Sequence, residues 1–371
     1  MRDNMKKNKI LYVDTCHDVA GGQRSLIALL TNLKDKLDYS ILIDKSNEKY
    51  EYELLKAGVP ASRIMKINSK PLDQRWLGGL SVFFKALSLA TKNPIVHCNT
   101  FYDGLFAMPA FRLFGKKTVF RARCGIDLSN HGVIDKIIYW SASVVLANSE
   151  YVKNTFGRIS KDLSKVNTLY NPLDMKFAVK KEDVESFQKE DKYVIAVIGA
   201  ITEVKRQKEV LEAFSRIDSQ DVILRFIGEP RSTGKDREYY NQLLAMVVNK
   251  KLQDRVVFTG FVSDVRDKLK DVDLICVPSD REPLGRVIFE SQLYTIPVLA
   301  SRSGGNTELI EDGETGYLYE LGCIDELAKK LLVVKLDNTA IANNAKKFVL
   351  ERFSPERTYL AELDVYNTLT S

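Results

Sequence analysis

Short apolar runs alternate with stretches of helical period along this chain, and the alternation stops once and then restarts. The first series predicts a strand over 10–14, a helix over 21–37, a strand over 39–43 and a helix near 49–57. Further strand-like runs follow at 64–67, 95–98, 118–120 and 144–147, with helical stretches between them. From Asn171-Pro172 to about Asp191 the chain is highly charged and shows no strand pattern, as a linker would. The second series has apolar runs at 193–199, 222–228, 256–260, 273–278 and 296–300, most ending at or beside Gly. A last helix, about Pro355 to Leu369, carries Tyr359, Leu360, Leu363, Tyr366 and Leu369 at helical spacing.

Strands that alternate with helices make parallel sheets covered on both faces. The pattern therefore predicts an α/β chain of two Rossmann-like doubly wound domains facing across a cleft. The predicted domains are 1–175, with the last helix of about 355–371 closing back onto it, and 176–354. A length of 371 residues agrees, because a single core stops growing below that size.

Composition narrows the class. Hydrophobic content of 45% and charged content of 28% describe an ordinary globular chain, and no apolar run reaches the length of a membrane span. Met1 to Lys9 is charged and lacks the apolar core of a signal peptide, so a cytoplasmic location is expected. The five Cys are scattered and read as buried reduced thiols. Charge is uneven: residues 1–175 hold 26 Lys and Arg against 16 Asp and Glu, and residues 176–371 hold 29 against 33. A basic first half favours an anionic partner, either a phosphate-bearing substrate or an anionic membrane surface. No nucleic-acid module is present, so no nucleic-acid partner is expected. Phe101, Tyr102, Phe106, Phe111 and Phe114 with Arg112, Lys116 and Lys117 form an aromatic-basic stretch. Core packing explains most of these aromatics; contact with a membrane surface is the sharper reading.

Candidate chemistry sits where strands turn into helices, since ligands of open α/β sheets bind beyond the strands' C-terminal ends. Glu282 falls in a loop after the run 273–278, and Glu290 about two turns further on, in the helix that Gly285-Arg286-Val287 opens. A Gly-rich loop, Ser303-Gly304-Gly305, follows the run 296–300 and is expected to open another helix. Gly21-Gly22 follows the first strand, where backbone N–H groups can receive a phosphate; a plain tight turn accounts for them as well. The run does not match G-x-G-x-x-G, which argues against NAD. Lys205-Arg206-Gln207-Lys208 follows Gly199; cations just inside a helix oppose its dipole, a cost that a bound anion offsets. A solvated basic face is the alternative. His97 lies in an apolar strand and reads as a core residue, His17 as a loop residue, and His131 is uninformative. Asn99-Thr100, at the end of the His97 strand, is the better candidate for a ligand contact.

Together these residues resemble a known family. Gly199 with Lys205, Ile227-Gly228-Glu229 and Val257 to Val262 are similar to family 4 (group 1) retaining glycosyltransferases of the GT-B fold. So are Glu282-x7-Glu290, Pro297-Val298, Gly304-Gly305, Glu308-Leu309-Ile310 and Gly313 to Leu318. In the first half the likeness rests on Gly21-Gly22, Ala147 to Glu150 and Tyr170 to Asp174. The resemblance implies a nucleotide-diphosphate sugar donor, UDP before GDP, and a lipid-linked or saccharide acceptor in surface polysaccharide synthesis. It implies retention of configuration, no metal and no cofactor. Lys205, with Arg206 as neighbour or substitute, would neutralise the diphosphate. Glu290 would bind the ribose, and Glu282 with Pro283, Leu284 and Gly285 the sugar. Arg286 and Val287 would cradle the diphosphate, Gly21-Gly22 would close on it, and Gly228, Glu229, Phe261 and Val262 would line the base pocket. The sequence departs from the family at Ala200, at Arg206 where Gly is usual, at Pro283-Leu284, and at Arg123 where a His is usual. A same-fold epimerase or phosphorylase, or a binding relative without turnover, is the alternative reading.

Overall fold

The computed structural model describes residues 9–370 apart from 18, 20, 34, 70–74, 127, 179–191, 232, 263 and 334–337. Most of the predicted linker, 179–191, and residues 1–8 of the charged N-terminus thus lie outside the described residues, as does the side chain of His131. The chain forms two compact units, Met1–Pro172 with Pro355–Ser371, and Leu173–Ser354.

In the first unit, strands and helices alternate: β1 (Lys9–Asp14), α1 (Gly21–Leu33), β2 (Asp38–Asp44), α2 (Glu48–Lys56), β3 (Ile64–Ile67), α3 (Arg75–Ala90) and β4 (Ile95–Cys98). Then come α4 (Phe101–Arg112), β5 (Lys117–Ala122), α5 (Leu128–Ser141), β6 (Val144–Ala147), α6 (Glu150–Thr155) and β7 (Val166–Thr168). The seven strands are parallel in the order β3-β2-β1-β4-β5-β6-β7. A parallel sheet is covered on both faces, so its strands are largely apolar. Ile10, Leu11, Tyr12 and Val13 are accordingly all buried. One face packs on α3, α4 and α5, the other on α1 and α2.

The second unit restarts with β8 (Tyr193–Ile198), α7 (Gln207–Phe214), β9 (Val222–Ile227), α8 (Gly234–Asn249), β10 (Val256–Phe258) and β11 (Leu274–Val277). It continues through α9 (Arg286–Leu293), β12 (Val298–Ser301), β13 (Tyr317–Tyr319), α10 (Ile324–Val333) and α11 (Thr339–Arg352). Its six parallel strands run β10-β9-β8-β11-β12-β13. The last helix, α12 (Pro355–Thr370), returns to the first unit, where Tyr359 and Tyr366 join the core beside Leu26, Leu30 and Tyr12.

Four expectations need correction. Of the five Cys read as buried, only Cys98 and Cys276 are; Cys16 is half-buried, and Cys124 and Cys323 lie on exposed loops. The helix predicted over 21–37 ends at Leu33, because the N–H groups of Lys36 and Leu37 both turn back to the Leu33 carbonyl and Asp38 pairs with Lys9 in the sheet. Instead of a full helix after Ser303, a single 3-10 stretch spans Gly304–Glu308. Gly304 there has φ +61, a left-handed conformation that an α-helix does not continue. Glu290 is also not two helical turns beyond Glu282: the helix begins only at Arg286, which puts Glu290 about one turn in, while Glu282 lies on the loop, as expected.

Candidate active site

In the second unit the C-terminal ends of β8, β9, β10, β11 and β12 all feed loops on one sheet edge, as parallel strands must. Gly199 and Gly228 terminate β8 and β9 and press together; a Cβ on Gly228 would sit 2.1 Å from the Gly199 carbonyl oxygen. The Gly228 N–H donates to the Gly260 carbonyl at 3.0 Å, tying in the end of β10. Beyond Gly260, Phe261 is exposed and Val262 half-buried; Glu229 is exposed on the neighbouring loop.

Lys205 closes a 3-10 turn, Glu203–Lys205, ahead of α7. Its Nζ lies 2.5 Å from Glu282 Oε2. Arg206 turns elsewhere, its Nη1 standing 3.2 Å from Glu209 Oε2. Arg206 itself has φ +49, the left-handed region that favours Gly. That conformation explains why a Gly is usual at this place, and it separates the two neighbouring cations: one faces Glu282 and the other does not.

The loop after β11 holds Glu282 through its backbone. The Glu282 carbonyl accepts the Gly305 N–H at 2.7 Å, and the Arg281 N–H donates to Ser303 Oγ at 2.8 Å. A Cβ on Gly304 would lie 2.4 Å from the Glu282 oxygen, and one on Gly305 2.4 Å from the Pro283 oxygen. Only glycine lets the two loops meet so closely. Pro283 is half-buried and Leu284 buried, so Leu284 packs inward and offers its backbone. Gly285 starts α9 with no side-chain cap, which leaves the first N–H groups of the helix open to an anion. One turn in, Arg286 Nη2 pairs with Glu290 Oε1 at 2.9 Å, while Val287 is half-buried beside it. Burial raises the Glu290 carboxyl, with Arg286 acting against it. Each of the two carboxylates thus has one cation partner, and the two pairs flank the N-terminus of one helix.

In the first unit Gly21-Gly22 opens α1, and the backbone of Gly22 passes close to the Arg123 side chain. Arg123 donates to Asn171 Oδ1 at 2.8 Å and to Asn99 Oδ1 at 2.7 Å. Asn99 in turn donates to the buried Asp14 at 2.5 Å, which Gln23 and Tyr50 also reach. Burial, followed by the field of Arg121, pushes the Arg123 guanidinium down to about 9. Thr100 caps α4, and its hydroxyl donates to Asp103 at 2.6 Å. Asn99, Thr100 and Arg123 are thus brought together, but as members of an internal network. Asp14, at the end of β1, is the hub that sequence pattern does not single out; its only signal is a carboxylate closing an apolar strand. His97 is buried, as its strand implies, with Nδ1 2.6 Å from the Tyr366 hydroxyl. His17 stands beside Ser46 and Asp44 on the surface.

Residues 179–348 match the family model described as glycosyl transferases group 1. Among curated proteins, N-acetyl-alpha-D-glucosaminyl L-malate synthase of Bacillus anthracis is 28% identical over 58% of this chain and 57% of its own length. The lipopolysaccharide core biosynthesis glycosyltransferase LpsE of Rhizobium meliloti is 30% identical over 45% and 47%. The capsular polysaccharide biosynthesis glycosyltransferase CapM of Staphylococcus aureus is 26% identical over 64% of each chain. The chain thus spans about half to under two thirds of the length of these relatives. The fold is shared end to end with Anabaena Alr3699/HepE, solved in complex with UDP: TM-score 0.84 and 21% identity over 97% of this chain and 100% of that one. A glycosyltransferase from Rickettsia africae ESF-5 gives a TM-score of 0.81 at 21% identity over 99% of both chains. Residues 179–348, most of the second unit, are thus similar to the group 1 glycosyl transferases, and the chain shares the GT-B fold of its structural neighbours.

Proposed function

We propose that the protein is a retaining glycosyltransferase. It moves a hexose-type sugar from a nucleotide diphosphate, UDP before GDP, to a hydroxyl of a lipid-linked glycan. The reading rests first on the pairs Lys205–Glu282 and Arg286–Glu290 around the open N-terminus of α9. A leaving nucleoside diphosphate asks a site mainly for fixed positive charge and N–H groups, and this loop cluster supplies both. Support also comes from the relatives named for polysaccharide synthesis and from the HepE complexes with UDP and with UDP-glucose.

In this mechanism the diphosphate draws Lys205 and Arg286 away from their carboxylates. Glu282 then accepts from sugar hydroxyls and Glu290 from the ribose. Gly228, Glu229, Phe261 and Val262 line the base pocket, Gly199 serves the donor with Lys205, Gly21-Gly22 is a donor-phosphate contact, and Asn99, Thr100 and Arg123 belong to the acceptor side. The bond from the anomeric carbon to phosphate breaks as the acceptor oxygen bonds that carbon on the same face. The acceptor proton passes to the leaving phosphate oxygen. No metal takes part, and the work is cytoplasmic, at the membrane's inner face. Among the described residues no helix is long and apolar enough to cross a membrane.

Calorimetry with UDP beside a turnover assay tests the assignment. Glu282→Ala loses transfer while binding UDP nearly normally. Glu290→Ala weakens UDP binding about ten- to hundredfold, the worth of hydrogen bonds to a charged group. Unchanged transfer in both variants sinks the site, and loss of turnover on chelating metals sinks the metal-free chemistry.

A further inference from the structure

The aromatic-basic stretch 101–117 is mostly core. Phe106 and Phe111 are buried, and Phe101 and Tyr102 pack half-buried against the same cluster. The exposed apolar surface lies instead on the helices to either side. On α3, Leu77, Leu80 and Phe84 point outward at helical spacing, with Phe84 63% exposed. On α5, Val133, Ile137 and Trp140 do the same, with Trp140 66% exposed. Leu113 and Phe114, at the end of α4, are exposed between them. Helices α3 and α5 each pack against α4, so the three form one layer. Each helix returns from one parallel strand to the start of the next, so their C-terminal turns meet at the same sheet edge.

Charge on this layer has one sign. Residues 75–144 contain nine Lys and Arg but only three Asp and no Glu. Of those three, Asp103 and Asp135 are buried, and 127 is outside the described residues. Lys92, Arg112, Lys117 and Lys136 are exposed, and Lys85 is half-buried beside Phe84. Lys165 links the parts: its Nζ sits 3.9 Å over the Tyr139 ring and 5.5 Å from that of Trp140. Burial, then the nearby charge of Arg112, lowers it, while Asp162 acts the other way.

We propose that the outward face of α3 and α5, with the end of α4, docks on an anionic lipid bilayer. Apolar side chains in a field of cations, with no exposed carboxylate described on those helices, suit the interface of a charged membrane. A second copy would meet this face with the same positive charge. The proposal deepens the lipid-linked acceptor reading, but its test is independent of it, because UDP binding reports on the other unit.

The test is co-sedimentation of the full chain with vesicles of phosphatidylcholine, alone or mixed with phosphatidylglycerol. Wild type binds only the mixed vesicles, and salt weakens the binding. In a Trp76→Phe background Trp140 is the sole tryptophan of the two in the chain, and its emission shifts to the blue on binding. Phe84→Ser with Trp140→Ser, and separately Lys85→Glu with Lys136→Glu, reduce binding at least tenfold, roughly what two lost cations supply. Circular dichroism and UDP affinity stay as in wild type. The proposal is overturned if wild type ignores the mixed vesicles, or if binding survives either pair of substitutions. Self-association that Phe84→Ser with Trp140→Ser abolishes assigns the face to a second copy and overturns it too.

Discussion

Two adjacent cations, Lys205 and Arg206, look interchangeable in a sequence but are not so in the fold. A left-handed conformation at Arg206 costs about 1–2 kcal/mol for a residue with a Cβ. Its pair with Glu209 returns little, since the guanidinium is well exposed. Arg206→Gly is therefore expected to raise stability by about 1 kcal/mol, a shift of a few degrees in the melting temperature, and to change UDP affinity less than about threefold. Lys205→Ala is the contrast, with both affinity and turnover reduced. A large loss of UDP binding in Arg206→Gly would restore Arg206 as a phosphate ligand. A second residue-scale effect concerns Asp103, whose carboxyl burial and then the charge of Asp14 raise to about 7. In the unfolded chain it titrates near 3.9. Its protonated form therefore favours the folded state. That contribution is complete below about pH 4 and is lost as pH rises through about 7. Asp103→Asn, neutral throughout, should flatten the dependence of melting temperature on pH between these limits; an unchanged slope would assign the dependence to another group.

Among elements, the junction of two loops matters more than either helix. Glu282 is fixed because Gly304-Gly305 lets the loop after β12 touch the loop after β11. Gly305→Ala places a Cβ 2.4 Å from the Pro283 oxygen, so the loops must part. Misplacing a reacting group by about 1 Å costs about a hundredfold in rate, and a loss of that order in turnover is expected with UDP affinity less affected. Wild-type turnover in this variant would show that Glu282 tolerates movement. The strand and helix pattern around this junction is legible in sequence, since β8 and β11 are unbroken apolar runs and β9 is interrupted only by Arg225. The three-residue strands β7 and β13 are not, because three positions carry no period. The absence of a helix after Ser303 is also hidden; it follows from contact with a loop twenty residues earlier.

For the molecule as a whole, α12 is the element whose place depends most on distant partners. Tyr366 sits in the first unit's core, its hydroxyl 3.0 Å from that of Tyr12 and 2.7 Å from Glu362 Oε1, besides its bond with His97. Removing the side chain leaves a cavity and takes the hydroxyl partner from Tyr12, His97 and Glu362. Tyr366→Ala should cost about 3–5 kcal/mol in the first unit, read as a lower melting temperature with UDP affinity kept. An unshifted melting temperature would mean that α12 is dispensable to that core.

The sequence by itself determined the two series of strands, the Gly-marked strand ends and the presence of Glu282, Glu290 and Lys205 at such ends. Apolar period and backbone permissiveness are local properties, so they can be read locally. Only the tertiary structure decided which cation meets which carboxylate. It also decided that Asn99, Thr100 and Arg123 are tied into a network around Asp14 and Asp103, and that the exposed apolar stripes lie on α3 and α5, with only Leu113 and Phe114 of the stretch 101–117 beside them. Those outcomes depend on which side chains reach one another across strands and loops far apart in the chain, and no spacing encodes that distance.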